Sequence, residues 1–234
     1  MISQSNISIG FDEGIKLLKD FELFKSKNVS RKMTFEKNKF SREFITISQS
    51  DEYKSIYDTA MNKQDYDILL IDNSFFQFSY ELNEKEFSRI RYAYYDVPYH
   101  ADEYKEFLSS QGFLYEEVGE EFLDEYEQYI SEAELKSQVL PIRYDYDTLA
   151  YKPKIHSSSH MHIGHNNEMR IPCDKIVLPQ NFISFVIRHV YFEKYKAKIV
   201  DDNIINKYFN YIVNNKKNEE ILNEEEKQDI YLCL

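Results

Sequence analysis

The 234-residue sequence is poor in the residues that mark several common protein classes. It contains no tryptophan, two cysteines, five glycines and five prolines. Two cysteines, Cys173 and Cys233, cannot build a disulfide framework or a four-cysteine zinc site. The scarcity of glycine and proline excludes a collagen-like or low-complexity chain.

Long apolar segments are also missing. No apolar run approaches the roughly 20 residues that a membrane-spanning helix needs, and the N-terminus has no apolar signal core. The sequence therefore predicts a cytoplasmic protein with no membrane partner. Aromatic side chains, in contrast, are abundant: 20 tyrosines and 17 phenylalanines, within an apolar content of 42%, are enough to build a folded core.

The net charge of −12 is unevenly distributed along the chain. Residues 101–135 hold twelve acidic residues and one basic residue, whereas residues 25–42 hold seven basic residues and one acidic residue. A basic run of this density attracts phosphate groups, so the overall acidity does not exclude an anionic substrate. The alternative is that both runs are solvated faces.

Hydrophobic periodicity predicts a mixture of helices and strands. The predicted helices are 10–24, 51–62, 101–111, 117–135, 179–197 and a polar helical tail from 202. The predicted strands are 43–48, 66–72, 76–82, 90–94, 139–147, 159–164 and 168–173. Their irregular alternation favours an α+β fold, an antiparallel sheet with helices mainly on one face, in a single domain spanning 1–234.

A His-rich motif lies within residues 139–197. Since side chains alternate faces along a strand, Arg143 and Asp145 share one face of the first strand, and His160 and His162 share one face of the second. Sequential strands are commonly neighbours, so these four side chains are expected to meet. Three further side chains, His156, His165 and Arg170, lie at the strand edges or on the third strand.

These residue types suit phosphoester chemistry. Two imidazoles with an ordinary pKa of about 6.5 can act as general acid and base near neutral pH. Asp145 could orient one imidazole, while Arg143 or Arg170 could bind a phosphate. We therefore assign His160, His162, Asp145 and Arg143 as catalytic, and the following residues as substrate-binding: Arg170, His156, His165 and Arg188.

A metal-binding alternative uses the same residues. The His-x-His pair could hold one Zn²⁺ with a third ligand from Asp145, His156 or His165. Metal-independent chemistry is preferred, and no cofactor is expected. A Gly-rich phosphate loop, a GxSxG elbow, an HExxH motif and a dinucleotide-binding fingerprint are all missing from the sequence. His189 falls on an apolar helical stripe and is expected to be a core histidine.

Three segments resemble a known bacterial family. They are IRYDYD at 142–147, HSSSHMHIGHNNEMRIP at 156–172 and PQNFISFVIRHVY at 179–191. Together they resemble domain of unknown function 2290, a family without an assigned activity. An Arg-x-Asp strand followed by a His-x-His strand is also faintly similar to TumE-type toxins, a resemblance that implies an attack on RNA.

Two functions from different classes follow as hypotheses. The first is a nuclease-like or toxin-like phosphodiesterase of a bacterial defence or mobile-element locus, acting on RNA or DNA without metal. The second is a non-catalytic protein of such a locus, whose acidic 101–135 segment binds a basic protein partner. The sequence leaves open whether the chain is an enzyme.

Overall fold

Seven strands of the described chain form one antiparallel sheet in which strands adjacent in sequence are adjacent in space. The computed structural model describes residues 2–30, 40–49, 52–84, 86–100, 102–165, 169–216, 220–223 and 225–227. In order, the strands are β1 (Phe24–Lys27), β2 (Ile68–Leu70), β3 (Phe75–Asn83), β4 (Glu86–Tyr95), β5 (Ile142–Asp147), β6 (Ser159–Ile163) and β7 (Ile171–Pro172).

Helices precede, interrupt and follow this sheet. They are α1 (Gln4–Asp20), α2 (Arg42–Ile47), α3 (Tyr53–Asn62), α4 (Tyr104–Ser110), α5 (Tyr115–Val118), α6 (Leu123–Glu132), α7 (Pro179–His189), α8 (Phe192–Lys198) and α9 (Asp202–Lys216). The predicted α+β fold with an antiparallel sheet is confirmed. None of the helices in the described ranges is long and apolar enough to cross a membrane.

An aromatic core covers one face of the sheet. Phe76, Phe78, Tyr92 and Tyr144 alternate with polar residues along β3, β4 and β5, so their rings all point to this face. Phe182 of α7 packs against them, with its ring 5.6 Å from that of Tyr92. Helices α1, α7, α8 and α9 all contribute side chains to this cluster. The alternation therefore leaves the polar residues of the same strands on the opposite face.

Helices α2 and α3 cover one end of that opposite face. Residues 43–47 of the predicted strand 43–48 belong to α2. The strand prediction is wrong: Ser41 caps α2 through a hydrogen bond from the Phe44 N–H to its hydroxyl oxygen. Phe44 and Ile47, three residues apart, both pack into a second core cluster with α3 and Phe75. A short run with apolar residues at 44, 45 and 47 is compatible with the period of a helix and with that of a strand. The Ser41 cap stabilises the helix.

The third predicted strand of the His-rich motif, 168–173, is shorter than expected. Strand β7 has two residues, and Glu168 lies outside the described residues. The period-two pattern of 168–173 would place Met169 and Ile171 on the buried face with Ile142, Tyr144 and Met161, but they are 48% and 40% exposed. Strand β7 forms the edge of the sheet, so its side chains have strand neighbours on one side only.

The predicted helix 179–197 is divided into α7 and α8 at Tyr191. The Tyr191 hydroxyl donates a hydrogen bond to Asp72 Oδ2 at 2.8 Å and lies 3.0 Å from the Tyr94 hydroxyl. These contacts hold the Tyr191 side chain at the break between the two helices. His189 at the end of α7 is exposed rather than in the core, with its ring 4.4 Å from that of Phe185.

The acidic segment is an insertion between β4 and β5. Helices α4, α5 and α6 build a small core of their own around Phe107, Leu108 and Tyr126. All of its acidic residues except Glu103 are exposed. Half of the basic segment 25–42 lies outside the described residues, since 31–39 are not among them.

The Tyr144 hydroxyl joins three parts of the chain that position the site. It lies 2.9 Å from the Ser159 hydroxyl on β6 and accepts a hydrogen bond from the Val177 N–H at 3.0 Å. Tyr144→Phe removes the acceptor of the Val177 N–H and the contact with the Ser159 hydroxyl, which keeps its hydrogen bond to the Lys175 carbonyl oxygen. We therefore expect the free energy of unfolding to fall by about 1–3 kcal/mol. Urea denaturation measures the loss, with Tyr146→Phe on the same strand as control. Equal stability of the two variants would contradict this role.

Candidate active site

Strands β5 and β6 bring four predicted site residues to one face of the sheet. Arg143 pairs with His162, and Asp145 pairs with His160, in the antiparallel register. Residues that pair directly across a ladder have side chains on the same face. The predicted pairing of these two strands is therefore confirmed, and the four side chains lie together.

The Asp145 carboxylate is the centre of the cluster. It is buried and accepts one hydrogen bond on each oxygen: Arg91 Nε donates to Oδ1 at 2.6 Å, and Arg143 Nε donates to Oδ2 at 2.6 Å. Burial raises the pKa of this carboxyl, but the charges and hydrogen bonds of the two guanidiniums outweigh burial and lower the pKa below its ordinary value. Asp145 is therefore ionised at neutral pH and holds two arginines side by side.

The two imidazoles of β6 contact each other. Their ring centroids are 4.9 Å apart, and His162 Nε2 lies 3.5 Å from Asp145 Oδ2. Burial, together with the charge of Arg143, lowers the pKa of His162 to about 4. Burial also lowers the pKa of His160, whose Nδ1 lies 2.9 Å from the Ser157 carbonyl oxygen. The expectation of titration near neutrality fails for His162 in the free protein, and the pKa of His160 is also lowered, so both rings are neutral at pH 7.

The two histidines differ in access. His162 borders a cavity of about 260 Å³ together with Arg143 and His165. His160 is 3% exposed and lies behind His162, between that ring and the ring of His156. A molecule in the cavity would therefore meet His162, and His160 would act on it only through His162.

A second, larger cavity adjoins the first on the polar face of the sheet. It has a volume of about 430 Å³ and is bordered by Arg89, Arg91 and Arg143 on the strands and by residues of α2. Both cavities share Ser48, Gln49, Ala93, Tyr95 and Arg143. We call the two cavities together the groove.

The guanidiniums present positive charge to this groove. The Arg91 and Arg143 side chains are 50% and 45% exposed, whereas the Asp145 side chain beneath them is 8% exposed. Each contacts Asp145 through Nε, which uses one of the five N–H groups of a guanidinium. Arg89 is more fully engaged, since it contacts both Asp147 and Glu81. The Arg91–Arg143 pair is therefore the part of the groove that suits an anion.

Family comparison covers nearly the whole chain. The family model of an uncharacterized conserved protein, DUF2290, matches residues 18–234. The chain belongs to the DUF2290 family. No curated protein matches it, and no solved structure does. All of the candidate site residues lie inside the matched range.

The remaining predicted residues lie at different distances from the cluster. His165 borders the smaller cavity, with its ring 5.2 Å from that of Tyr53. The His156 ring lies 4.8 Å from that of His160, and its buried Nδ1 has no hydrogen-bond partner among the described residues. Arg170 is exposed before β7, and its charge contributes to the lowered pKa of His162.

Arg188 is not brought to the cluster. It lies on α7, which packs against the aromatic face of the sheet, and its guanidinium lies over the Tyr195 ring at 5.9 Å. The sequence assigned Arg188 to substrate binding, but the apolar stripe of α7 packs against the aromatic core. That stripe faces the sheet from the side opposite to the histidines, so a residue of this helix cannot reach them.

Arg91 and the α2 residues were not predicted from the sequence as site residues. Arg89 and Arg91 alternate with Ile90 and Tyr92 along β4, in the same way that Arg143 and Asp145 alternate with Tyr144. The alternation indicates that both arginines lie on a polar face. It does not predict the β4–β5 pairing, which brings Arg91 to Asp145. The α2 contribution had no such signal, since 43–48 was predicted as a strand.

The cluster also has the composition of a metal site. Asp145, His160 and His162 place ligand atoms within 4.8 Å of one another. However, each Asp145 oxygen already accepts a hydrogen bond from a guanidinium at 2.6 Å. A cation at this point would lie beside two fixed positive charges, which disfavours its binding. The donor set therefore fits an Arg-held carboxylate better than a metal ligand.

The lowered pKa of His162 predicts a pH dependence of stability. Between pH 6.5 and about 4 the unfolded chain binds a proton at this histidine that the folded chain does not. The free energy of unfolding should therefore fall as pH is lowered through that window. His160 acts in the same direction, while Asp145 lies close enough to oppose both shifts.

Urea denaturation at several pH values from 7 to 4 tests this dependence. His162→Gln should flatten the pH dependence in part, because His160 remains. His100→Gln, outside the cluster, is the comparison variant. The same slope in His162→Gln as in the unmodified chain would show that His162 titrates normally.

Proposed function

We propose that the chain is a nuclease-like phosphodiesterase whose site is the groove beside Asp145. The observation that carries the proposal is a pair of guanidiniums, fixed by one buried carboxylate, next to a neutral imidazole that borders the same groove. Guanidiniums bind phosphate oxygens through paired N–H groups and stabilise the charge that develops on them. The neutral imidazole can accept a proton.

The proposed reaction needs one histidine for two proton transfers. With Nε2 of His162 near Asp145, its Nδ1 is the nitrogen that takes the proton of the attacking hydroxyl. The attacking oxygen bonds to phosphorus, and the bond from phosphorus to the leaving oxygen breaks. The imidazolium then returns the proton to the leaving oxygen. Asp145 stabilises the imidazolium in between.

The substrate itself would correct the low basicity of His162. A general base is most effective when its pKa lies near the working pH. The charge of Arg143 is the second cause of the low pKa of His162, after burial. A phosphodiester bound at Arg143 brings a negative charge that offsets this one, so the pKa of His162 rises in the complex.

Cleavage of labelled oligonucleotides tests the proposal. The purified chain is incubated with end-labelled RNA and DNA, with and without a strong chelator. We expect cleavage of at least one strand type, unchanged by the chelator because no step uses a metal. Thermal melts with and without chelator should likewise coincide. A folded protein that cleaves neither RNA nor DNA would refute the phosphodiesterase proposal.

The toxin-like role in a bacterial defence or mobile-element locus is a further part of the same proposal. Its measurement is growth of bacteria that express the unmodified chain or His162→Gln. Growth inhibition that disappears in the variant supports a toxin-like activity of the groove. Equal inhibition by both would place the effect elsewhere in the chain.

One observation favours the alternative, a non-catalytic protein that binds a basic partner. The acidic insertion has its own core, and its exposed carboxylates greatly outnumber its single lysine, Lys105. Among the described residues, ion pairs join Glu103 to Lys194 and Glu116 to Lys105. Replacing Glu120, Glu121 and Glu125 with glutamine should abolish the biological effect if this alternative holds, and should preserve it if the groove is the site.

A further inference from the structure

We propose that the groove binds a single strand of nucleic acid, with one unpaired base in each cavity and the phosphate between them at Arg143. The inference rests on the proposed function and names its substrate class. Arg143 borders both cavities and is 45% exposed, so a phosphate bound to it has room for a nucleoside on either side.

Aromatic side chains border each cavity where a base would lie. Tyr95 borders both cavities. Its half-buried ring stacks on that of Phe75 at 4.8 Å and contacts the buried rings of Phe44 at 6.2 Å and Tyr53 at 6.3 Å, so a base would meet the part of the ring that borders the cavities. Bases stack on aromatic rings irrespective of sequence, because every base has an aromatic face.

Polar side chains could contact the edges of a base. Ser48 and Gln49 border both cavities, and Gln77 and Ser79 border the larger one. Amides and hydroxyls both donate and accept hydrogen bonds, which matches the mixed edges of nucleobases. The volume of the larger cavity, about 430 Å³, lies within the range of small-molecule pockets, roughly 300–1,000 Å³.

Helix α2 makes the groove selective for unpaired bases. It covers the larger cavity with Phe44, Ile45 and Ser48. Its start is fixed because the Ser41 hydroxyl and backbone N–H both donate to the buried Asp65 carboxylate. A base that is stacked and paired in a duplex cannot enter beneath this helix without first leaving the duplex, which costs a few kcal/mol.

Binding is measured by fluorescence anisotropy at low salt. The probes are phosphorothioate-linked hexanucleotides, which resist cleavage, as RNA and as DNA, each alone and annealed to its complement. We expect single strands to bind at least tenfold more tightly than duplexes. The comparison of the RNA probe with the DNA probe shows which of the two nucleic acids the groove binds more tightly.

Tyr95 variants test the stacking itself. Tyr95→Leu should weaken single-strand binding about tenfold or more, because stacking on an aromatic ring typically contributes that much per base. Tyr95→Phe keeps the ring and should bind like the unmodified chain. Phe192→Leu removes an exposed aromatic ring from α8, outside the groove, and should change nothing.

The outcomes separate this inference from the proposed function. Equal affinity for duplex and single strand, or a Tyr95→Leu variant that binds like Tyr95→Phe, would overturn the inference even if the chain cleaves nucleic acid. Single-strand binding that depends on Tyr95, in a chain that cleaves nothing, would support the inference and refute the phosphodiesterase. No binding to any probe at low salt overturns the inference.

Discussion

Replacing Asp145 with asparagine is expected to lower the free energy of unfolding by about 2–3 kcal/mol, the cost of a lost hydrogen bond between charged groups. The carboxylate accepts a guanidinium on each oxygen. Asparagine has one acceptor oxygen, and its amide nitrogen would face a guanidinium donor. The positive charges of Arg91 and Arg143 would then lie together without the negative charge that holds them. Their half-exposed positions limit the loss, because water screens part of the repulsion.

Asp147 supplies the matched control on the same strand. It pairs with Arg89, which also contacts Glu81 and therefore keeps one carboxylate partner when Asp147 is replaced. Asp147→Asn should cost about 1 kcal/mol or less. Urea denaturation of both variants gives the comparison. If Asp145→Asn and Asp147→Asn are equally stable, then Asp145 does not organise the arginine pair.

The central strands were predicted from sequence because their surroundings have two distinct faces. In β3, β4 and β5 the aromatic residues point to a core and the intervening residues point away from it, so the period of two survives in the sequence. Where this contrast weakens, the prediction fails. Residues 43–48 have apolar side chains at adjacent positions, and the Ser41 cap, its contact with Asp65 and the packing of Phe44 and Ile47 stabilise them as α2.

The site residues that are close in sequence were predicted, whereas the residue that is distant in sequence was not. The β5–β6 pairing joins segments that are close in sequence, and this was enough to place His160, His162, Asp145 and Arg143 together. Arg91 reaches Asp145 across a chain separation of 54 residues, beyond the whole acidic insertion. Local periodicity gives the face on which Arg91 lies but not the strand beside it.

Burial is the second quantity that local patterns do not report. The ordinary pKa of histidine was assumed for both imidazoles, yet burial lowers the pKa of His162 to about 4. Helix α2 covers part of the polar face, and His160 and His162 are 3% and 9% exposed. Burial lowers the pKa of both imidazoles, and of the two only His162 borders the groove.

Replacing His162 with glutamine is expected to reduce phosphodiester cleavage by about 10²–10⁴-fold, the usual contribution of a general acid–base group. Glutamine is similar in size and polar, so it should keep the packing against His160 and Asp145. It cannot carry a proton between two oxygens. Binding of the uncleavable single strand should change little, since Arg91 and Arg143 remain.

His160→Gln is the comparison that assigns the role of each histidine. Because His160 is buried behind His162, its replacement should act by shifting the ring of His162, with a smaller loss of rate and an altered pH profile. The measurement is the single-turnover cleavage rate at pH 5–8, after circular dichroism has shown that each variant is folded. A folded His162→Gln variant that cleaves at the unmodified rate would show that His162 is not the base. A rate loss that is larger for His160→Gln than for His162→Gln would assign the proton transfers to His160 instead.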